Sequence, residues 1–164
     1  MKKKLSCYIE TSIISYLAAR PSPNLLMAAC QQVTEQWWEV SHGLFEVFTS
    51  ELVLTEARQG DKITAQRRLV LLRGIPELRM TEEAKKLARS LVKKGALPTS
   101  AGADALHIAI ATVHQIEYLL TWNCRHIDNP TTKPLVRDIC DLEGYICPEV
   151  CTPMEIMEIS DHEK

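Results

Sequence analysis

Residues 101–123, AGADALHIAIATVHQIEYLLTWN, constrain the fold more than any other stretch of the chain. The first half reads as a helix that is apolar on nearly every face. A short apolar run, Tyr118 to Thr121, follows and reads as a strand. A helix hydrophobic all round is buried on several sides, and a short continuous apolar strand belongs inside a sheet covered on both faces. One carboxylate, Asp104, opens this helix, and the strand ends in Trp122-Asn123. Asp104 as a first-turn acid on the helix dipole would contribute only ~0.3–1 kcal/mol. Among Ala101, Ala103, Ala105, Leu106 and Ile108 a carboxylate is costly unless a donor or a metal compensates it. In open α/β sheets the crevice outside the strand ends is where ligands bind.

The rest of the chain repeats this rhythm. Leu5 to Ile9 reads as a buried strand, Thr11 or Ser12 as the cap of a helix, and Arg20-Pro21-Ser22-Pro23 as its stop. Asn24 caps a longer helix towards Val40, with Ser41-His42-Gly43 ending it, and Leu44 to Thr49 alternates as a second strand. Ser50 caps ELVLTEARQ, Asp61 caps a helix to Leu72, and a short strand is expected at Leu78 to Met80. A helix from Thr81 carries Glu82 and Glu83 in its first turn and Lys93 and Lys94 in its last. Pro134 to Glu143 reads as a further helix, and Thr152-Pro153-Met154-Glu155 has capping-box spacing. Strands alternating with helices predict an α/β fold: a parallel sheet of about four to five strands sandwiched by helices. With 164 residues, 46% of them hydrophobic, a single domain over residues 1–159 and a frayed tail over 160–164 are expected.

Charge and cysteine content narrow the function. A formal net charge of −2 excludes a protein that holds nucleic acid by bulk positive charge, though not one that recruits charge as metal ions. The opening Met-Lys-Lys-Lys precedes no long apolar run, because Glu10 interrupts it, so a soluble cytoplasmic protein with no membrane segment is expected. The six cysteines include no C-x-x-C pair and are expected to be free thiols. No G-x-G-x-x-G or Walker loop follows any strand, which sets a nucleotide-binding domain aside.

The acids then carry the chemistry. Glu10 ends the first strand, where few charges belong. Glu51 and Glu56 are five residues apart on one helix, a turn of about 500°, so at most one of them points at a given site. His107, three residues after Asp104, reads as a hydrogen-bonded core histidine rather than a ligand. Asn123 offers a carbonyl oxygen without charge and is also a common turn residue. Three carboxylates and an amide at strand ends make an oxygen-rich pocket suited to magnesium or manganese rather than zinc.

The segments YIETSIISYL, ELVLTEA, AGADALHIAIA and YLLTWNCRHI, in this order and at these separations, resemble a PIN-domain protein of the VapC-like group from Tyr8 to about Cys151. The resemblance implies a parallel sheet wrapped by helices and a divalent-metal-dependent ribonuclease, the toxin of a type II toxin–antitoxin pair. It implies that Glu10, Glu56 and Asp104 hold Mg²⁺ or Mn²⁺, that Asn123 orients a water or a second ion, and that RNA is the substrate. It also implies an antitoxin partner and a homodimer. The sequence departs from the family pattern at two positions. Glu10 stands where the family has aspartate, and Asn123 stands where a fourth acid is common. The alternative they support is a PIN-fold binding or regulatory module with weakened catalysis. Thr11, Ser12, Arg125 and His126 adjoin the acids and are expected to meet RNA, ahead of the stripe Lys85, Arg89, Lys93 and of Lys133 and Arg137. Trp37 and Trp38 fit either an apolar groove for the antitoxin or the core.

Overall fold

The structure is a computed structural model that describes residues 3–161. Five strands, β1 (Leu5–Ile9), β2 (Phe45–Ser50), β3 (Glu77–Leu78), β4 (Tyr118–Leu120) and β5 (Glu149–Cys151), form one parallel sheet in the order β3-β2-β1-β4-β5. Between β1 and β2 lie α1 (Thr11–Ala18) and α2 (Leu25–Leu44), and between β2 and β3 lie α3 (Glu51–Ala57) and α4 (Lys62–Leu72). The chain then passes through α5 (Glu82–Lys93) and α6 (Gly102–Val113) to β4, through α7 (Lys133–Leu142) to β5, and ends in α8 (Pro153–Asp161).

Because strand order reverses direction after β3, right-handed crossovers place α1–α4 on one face of the sheet and α5–α7 on the other. The packing of α1 on α4 and of α5 on α6 follows from this. The reversal also creates a topological switch point between β1 and β4, at the carboxyl edge of the sheet. Cys7, Tyr8 and Ile9 of β1, Leu119 and Leu120 of β4, and Ile108, Ala109 and Ile110 of α6 are fully buried, which is why these segments read as continuous apolar runs.

Local signals explain most boundaries. Asn24, Ser50, Asp61 and Thr81 each accept a backbone N–H as N-caps. Glu155 accepts from the N–H of Thr152 at 2.6 Å, completing the capping box at α8. Helix α6 ends without glycine: Gln115 takes the left-handed conformation at φ 56° and turns the chain into β4.

The structure corrects several boundaries. Glu10, not Thr11 or Ser12, caps α1 through its own side chain. Helix α2 passes Val40 and continues to Leu44, with Ser41 buried in it and bonded to the carbonyl of Trp38, so the expected stop at Ser41-His42-Gly43 does not act. Strand β2 is correspondingly shifted by one residue. Strand β3 covers only Glu77–Leu78, because Arg79 and Met80 beyond it turn their carbonyl and N–H to the side chains of His114 and Glu51 instead of to β2. Of the tail expected over 160–164, residues 160 and 161 are the end of α8 and the rest lie outside the described residues.

Candidate acidic site at the carboxyl edge of the sheet

Strand β1 delivers Glu10 to the switch point. Its N–H donates to the carbonyl of Leu120 at 3.0 Å, so the backbone is anchored on β4. Its Oε2 accepts from Ser12 N at 3.1 Å, Ser12 Oγ at 2.5 Å and Thr121 Oγ1 at 2.8 Å. Glu10 is 5% exposed, and a carboxylate this buried needs such donors. Ser12 Oγ in turn accepts the N–H of Trp122 at 2.8 Å, closing the start of α1 onto the end of β4.

Glu56, in the last turn of α3, meets Glu10 through a histidine. Its Oε1 accepts from Thr11 Oγ1 at 3.0 Å and from His107 Nε2 at 2.5 Å. The same His107 nitrogen lies 3.8 Å from Glu10 Oε1. Burial works against ionisation of Glu56, but the hydrogen bonds it accepts from His107 and from the Thr11 hydroxyl favour the carboxylate, and its pKa lies below the ordinary glutamate value. Glu51 points elsewhere and accepts the N–H of Met80 at 2.7 Å, as the angular offset between the two glutamates requires.

Behind His107 lies a buried polar chain. Its Nδ1 is 2.7 Å from the hydroxyl of Tyr8, which is 2.9 Å from Ser50 Oγ, the cap of α3. Burial pushes the Tyr8 phenol well above its usual pKa, so it remains a hydroxyl. The sequence reading of His107 as a hydrogen-bonded core histidine agrees with its 1% exposure, but its partners make it part of the acidic site. Tyr8, Ser50 and Thr121 were not expected there. Tyr8 had one usable signal: two residues before Glu10 on a strand, it shares that residue's face.

Asp104 stands on α6 and its Oδ2 pairs with His126 Nδ1 at 2.9 Å. It is less enclosed than its apolar neighbours suggest, with the carboxyl side chain 21% exposed. Asn123 Oδ1 accepts the N–H of His126 at 3.1 Å, so its amide oxygen shapes the loop that presents His126 to Asp104. Thus Glu10 and Glu56 share one histidine, while Asp104 is held by another.

The residues expected to meet RNA divide similarly. The hydroxyls of Thr11 and Ser12 are turned onto the acids, His126 is engaged with Asp104, and Arg125 is exposed. Lys133 and Arg137 are paired with Asp128 and Glu149, and Lys85 with Glu82. Arg89 and Lys93 line a cleft with Thr99 and Gly102, at the start of the helix that carries Asp104. Of the two alternatives for Trp37, a groove or the core, its 1% exposure favours the core.

Among the described residues, no three His, Cys, Asp or Glu side chains are grouped as a closed metal cage, and the six cysteines are free thiols. The carboxylates still have capacity. Among the described residues Glu56 Oε2 and Asp104 Oδ1 accept no hydrogen bond, and Glu10 Oε1 has only the distant His107 nitrogen. Magnesium keeps several waters and needs only one or two protein carboxylates. The donor set therefore fits a hydrated divalent ion better than one enclosed by protein.

A parallel five-stranded sheet flanked by helices is the fold of the VapC structures this chain resembles, so the fold expected from the resemblance is the fold found. The chain is similar to VapBC2 from Rickettsia felis, solved bound to a DNA fragment from its promoter, with a TM-score of 0.59 at 13% identity over 90% of this chain and 98% of that one. It is similar also to VapC20 of Mycobacterium tuberculosis, a toxin that cleaves the sarcin–ricin loop, with a TM-score of 0.57 at 14% identity over 87% of this chain and all of that one (100%). No family model matches the sequence, and no curated protein matches it.

Proposed function

We propose that the protein is an endoribonuclease that hydrolyses RNA phosphodiester bonds with Mg²⁺ or Mn²⁺, and that it is the toxin of a type II toxin–antitoxin pair. The observation that carries this reading is the meeting of Glu10 and Glu56, from separate elements, at one histidine on the carboxyl edge of the sheet. Its support is the fold shared with VapC proteins, one of them an RNA-cleaving toxin.

Glu10, Glu56 and Asp104 would hold the cation. When bound, the ion lowers the pKa of a water and offsets charge on the phosphate. The chain's own residues do the placing. Ser12 and Thr121 fix Glu10, Thr11 and His107 fix Glu56, and Asn123 sets the loop from which His126 orients Asp104. Arg125, with Arg89 and Lys93 along the cleft, would meet the phosphates of a structured RNA or a short loop. With 5% aromatic residues, extended base stacking has little to work with.

An antitoxin would cover an apolar surface. Leu25, Leu26 and Met27 at the exposed start of α2 offer more of it than the buried Trp37. We place the protein in the cytoplasm and expect a homodimer. Among the described residues no helix is long and apolar enough to cross a membrane.

The test is cleavage of a labelled RNA hairpin bearing the sarcin–ricin sequence, with Mn²⁺ and without it, by the wild type and by Asp104→Asn. Metal-dependent cleavage by the wild type alone is expected. Equal cleavage by both would remove the proposal, and RNA binding with no metal response would replace it with the binding-module reading.

A further inference from the structure

We propose that Ser50, Tyr8 and His107 form a one-way hydrogen-bond relay that keeps the His107 ring hydrogen on Nε2 and so fixes Glu56 for the chemistry proposed above, on which this second clause rests. Ser50 Oγ accepts the N–H of Val53 at 3.1 Å as the cap of α3, and it is fully buried. A hydroxyl has one hydrogen to give. Among the described residues the acceptor facing Ser50 Oγ is the Tyr8 oxygen, 2.9 Å away. With that oxygen accepting, the Tyr8 hydrogen goes to His107 Nδ1 at 2.7 Å. Nδ1 then carries no hydrogen, and Nε2–H donates to Glu56 Oε1 at 2.5 Å.

The opposite direction fails on one atom. If Nδ1–H donated to Tyr8 and Tyr8 to Ser50, the Ser50 hydroxyl hydrogen would be buried with no acceptor, which folded proteins avoid. A ring with hydrogens on both nitrogens fails for the same reason. The capping bond to Val53 therefore sets the direction of the whole chain.

The relay is also closed. It starts at the N-cap of α3, crosses β1 at Tyr8 and α6 at His107, and returns to Glu56 in the last turn of the same α3. Ser50 and Tyr8 are fully buried and His107 is 1% exposed, so the chain meets solvent only at Glu56 and stops inside the core at Ser50; with no second outlet it serves placement rather than proton transport. Tyr8 and His107 are positioning residues.

The experiment uses the full ¹⁵N-labelled chain. Long-range ¹H–¹⁵N spectra above pH ~8, past the usual histidine range, distinguish the two ring nitrogens. The five histidines are assigned with a His107→Gln variant. The wild type is expected to show Nε2 protonated and Nδ1 bare. Tyr8→Phe, which keeps the ring in the core, is expected to give a mixture of tautomers and about a tenfold lower kcat on the hairpin at unchanged KM, in line with other outer contacts of a metal site. Ser50→Gly keeps most of the capping capacity and removes the first donor, and should also mix the tautomers. A wild-type ring protonated on Nδ1, or a Tyr8→Phe ring still held as Nε2–H, would overturn the relay. If the wild type cuts no RNA, the functional reading falls, and the spectra alone decide the relay.

Discussion

Glu10 and Glu117 sit at opposite ends of the β1–β4 pair, and each grips a serine with one oxygen. Glu10 Oε2 takes both groups of Ser12 and adds Thr121 from the end of β4. Glu117 Oε2, just before β4, takes the N–H of Ser6 at 2.7 Å and its hydroxyl at 3.0 Å, from the start of β1. Hydrogen bonding is nearly the same, yet only one end has the makings of a reactive site. Glu117 is exposed, and beside it lies a cavity of about 590 Å³ lined by Leu5, Ile116, Tyr145 and Ile146, with Glu149 the other acid, spent on Arg137. Glu10 is buried, and a second acid and a histidine from two further elements close on it. A clamp becomes a candidate site through what converges on it rather than through the hollow beside it.

That contrast can be broken outright by charge removal. Glu10→Gln should abolish cleavage of the hairpin, whereas Glu117→Gln should leave it at the wild-type rate. Parallel assays of the two variants decide whether the ends differ in function. Next come the clamps themselves. Thr121→Val removes a buried donor to Glu10 and strands the N–H of Asn123, and urea unfolding should register a loss of about 1–3 kcal/mol. Ser6→Ala at the exposed end should lose less than about 1 kcal/mol by the same measurement.

The smallest effect lies in acid stability. Glu56 titrates below its ordinary value in the folded chain, so its contribution is fully present above the unfolded pKa of ~4.3 and is lost as pH falls through the folded value. Stability measured against pH should therefore fall less steeply below pH ~4.3 in Glu56→Gln than in the wild type. Glu117 is lowered as well, through the Ser6 N–H, but at an exposed position where solvent screens the effect, so its variant should change the slope less.

The sequence exposed what is local. Caps at Asn24, Ser50, Asp61 and Thr81, the capping box at Thr152, and the apolar runs of β1 and α6 follow from spacing over a few residues. Strand β5 left no such trace, because Glu149-Val150-Cys151 is too short to show a period. Glu10, Glu56 and Asp104 were readable as acids out of place. What they touch was not, since Tyr8 reaches His107 across 99 residues and Thr121 reaches Glu10 across 111. His107 shows the limit well. Its spacing from Asp104 allows a shared helix face, yet the fold sends one to Glu56 and the other to His126.

The two outermost strands, β3 and β5, are two and three residues long, and a proline stands directly before each, at Pro76 and Pro148. Borders this short give a foreign strand almost no ladder to extend, and proline withholds an amide at the point where pairing would begin. The sheet is thus guarded against edge-to-edge stacking of copies, and it offers a partner protein more surface on its helices than on its borders.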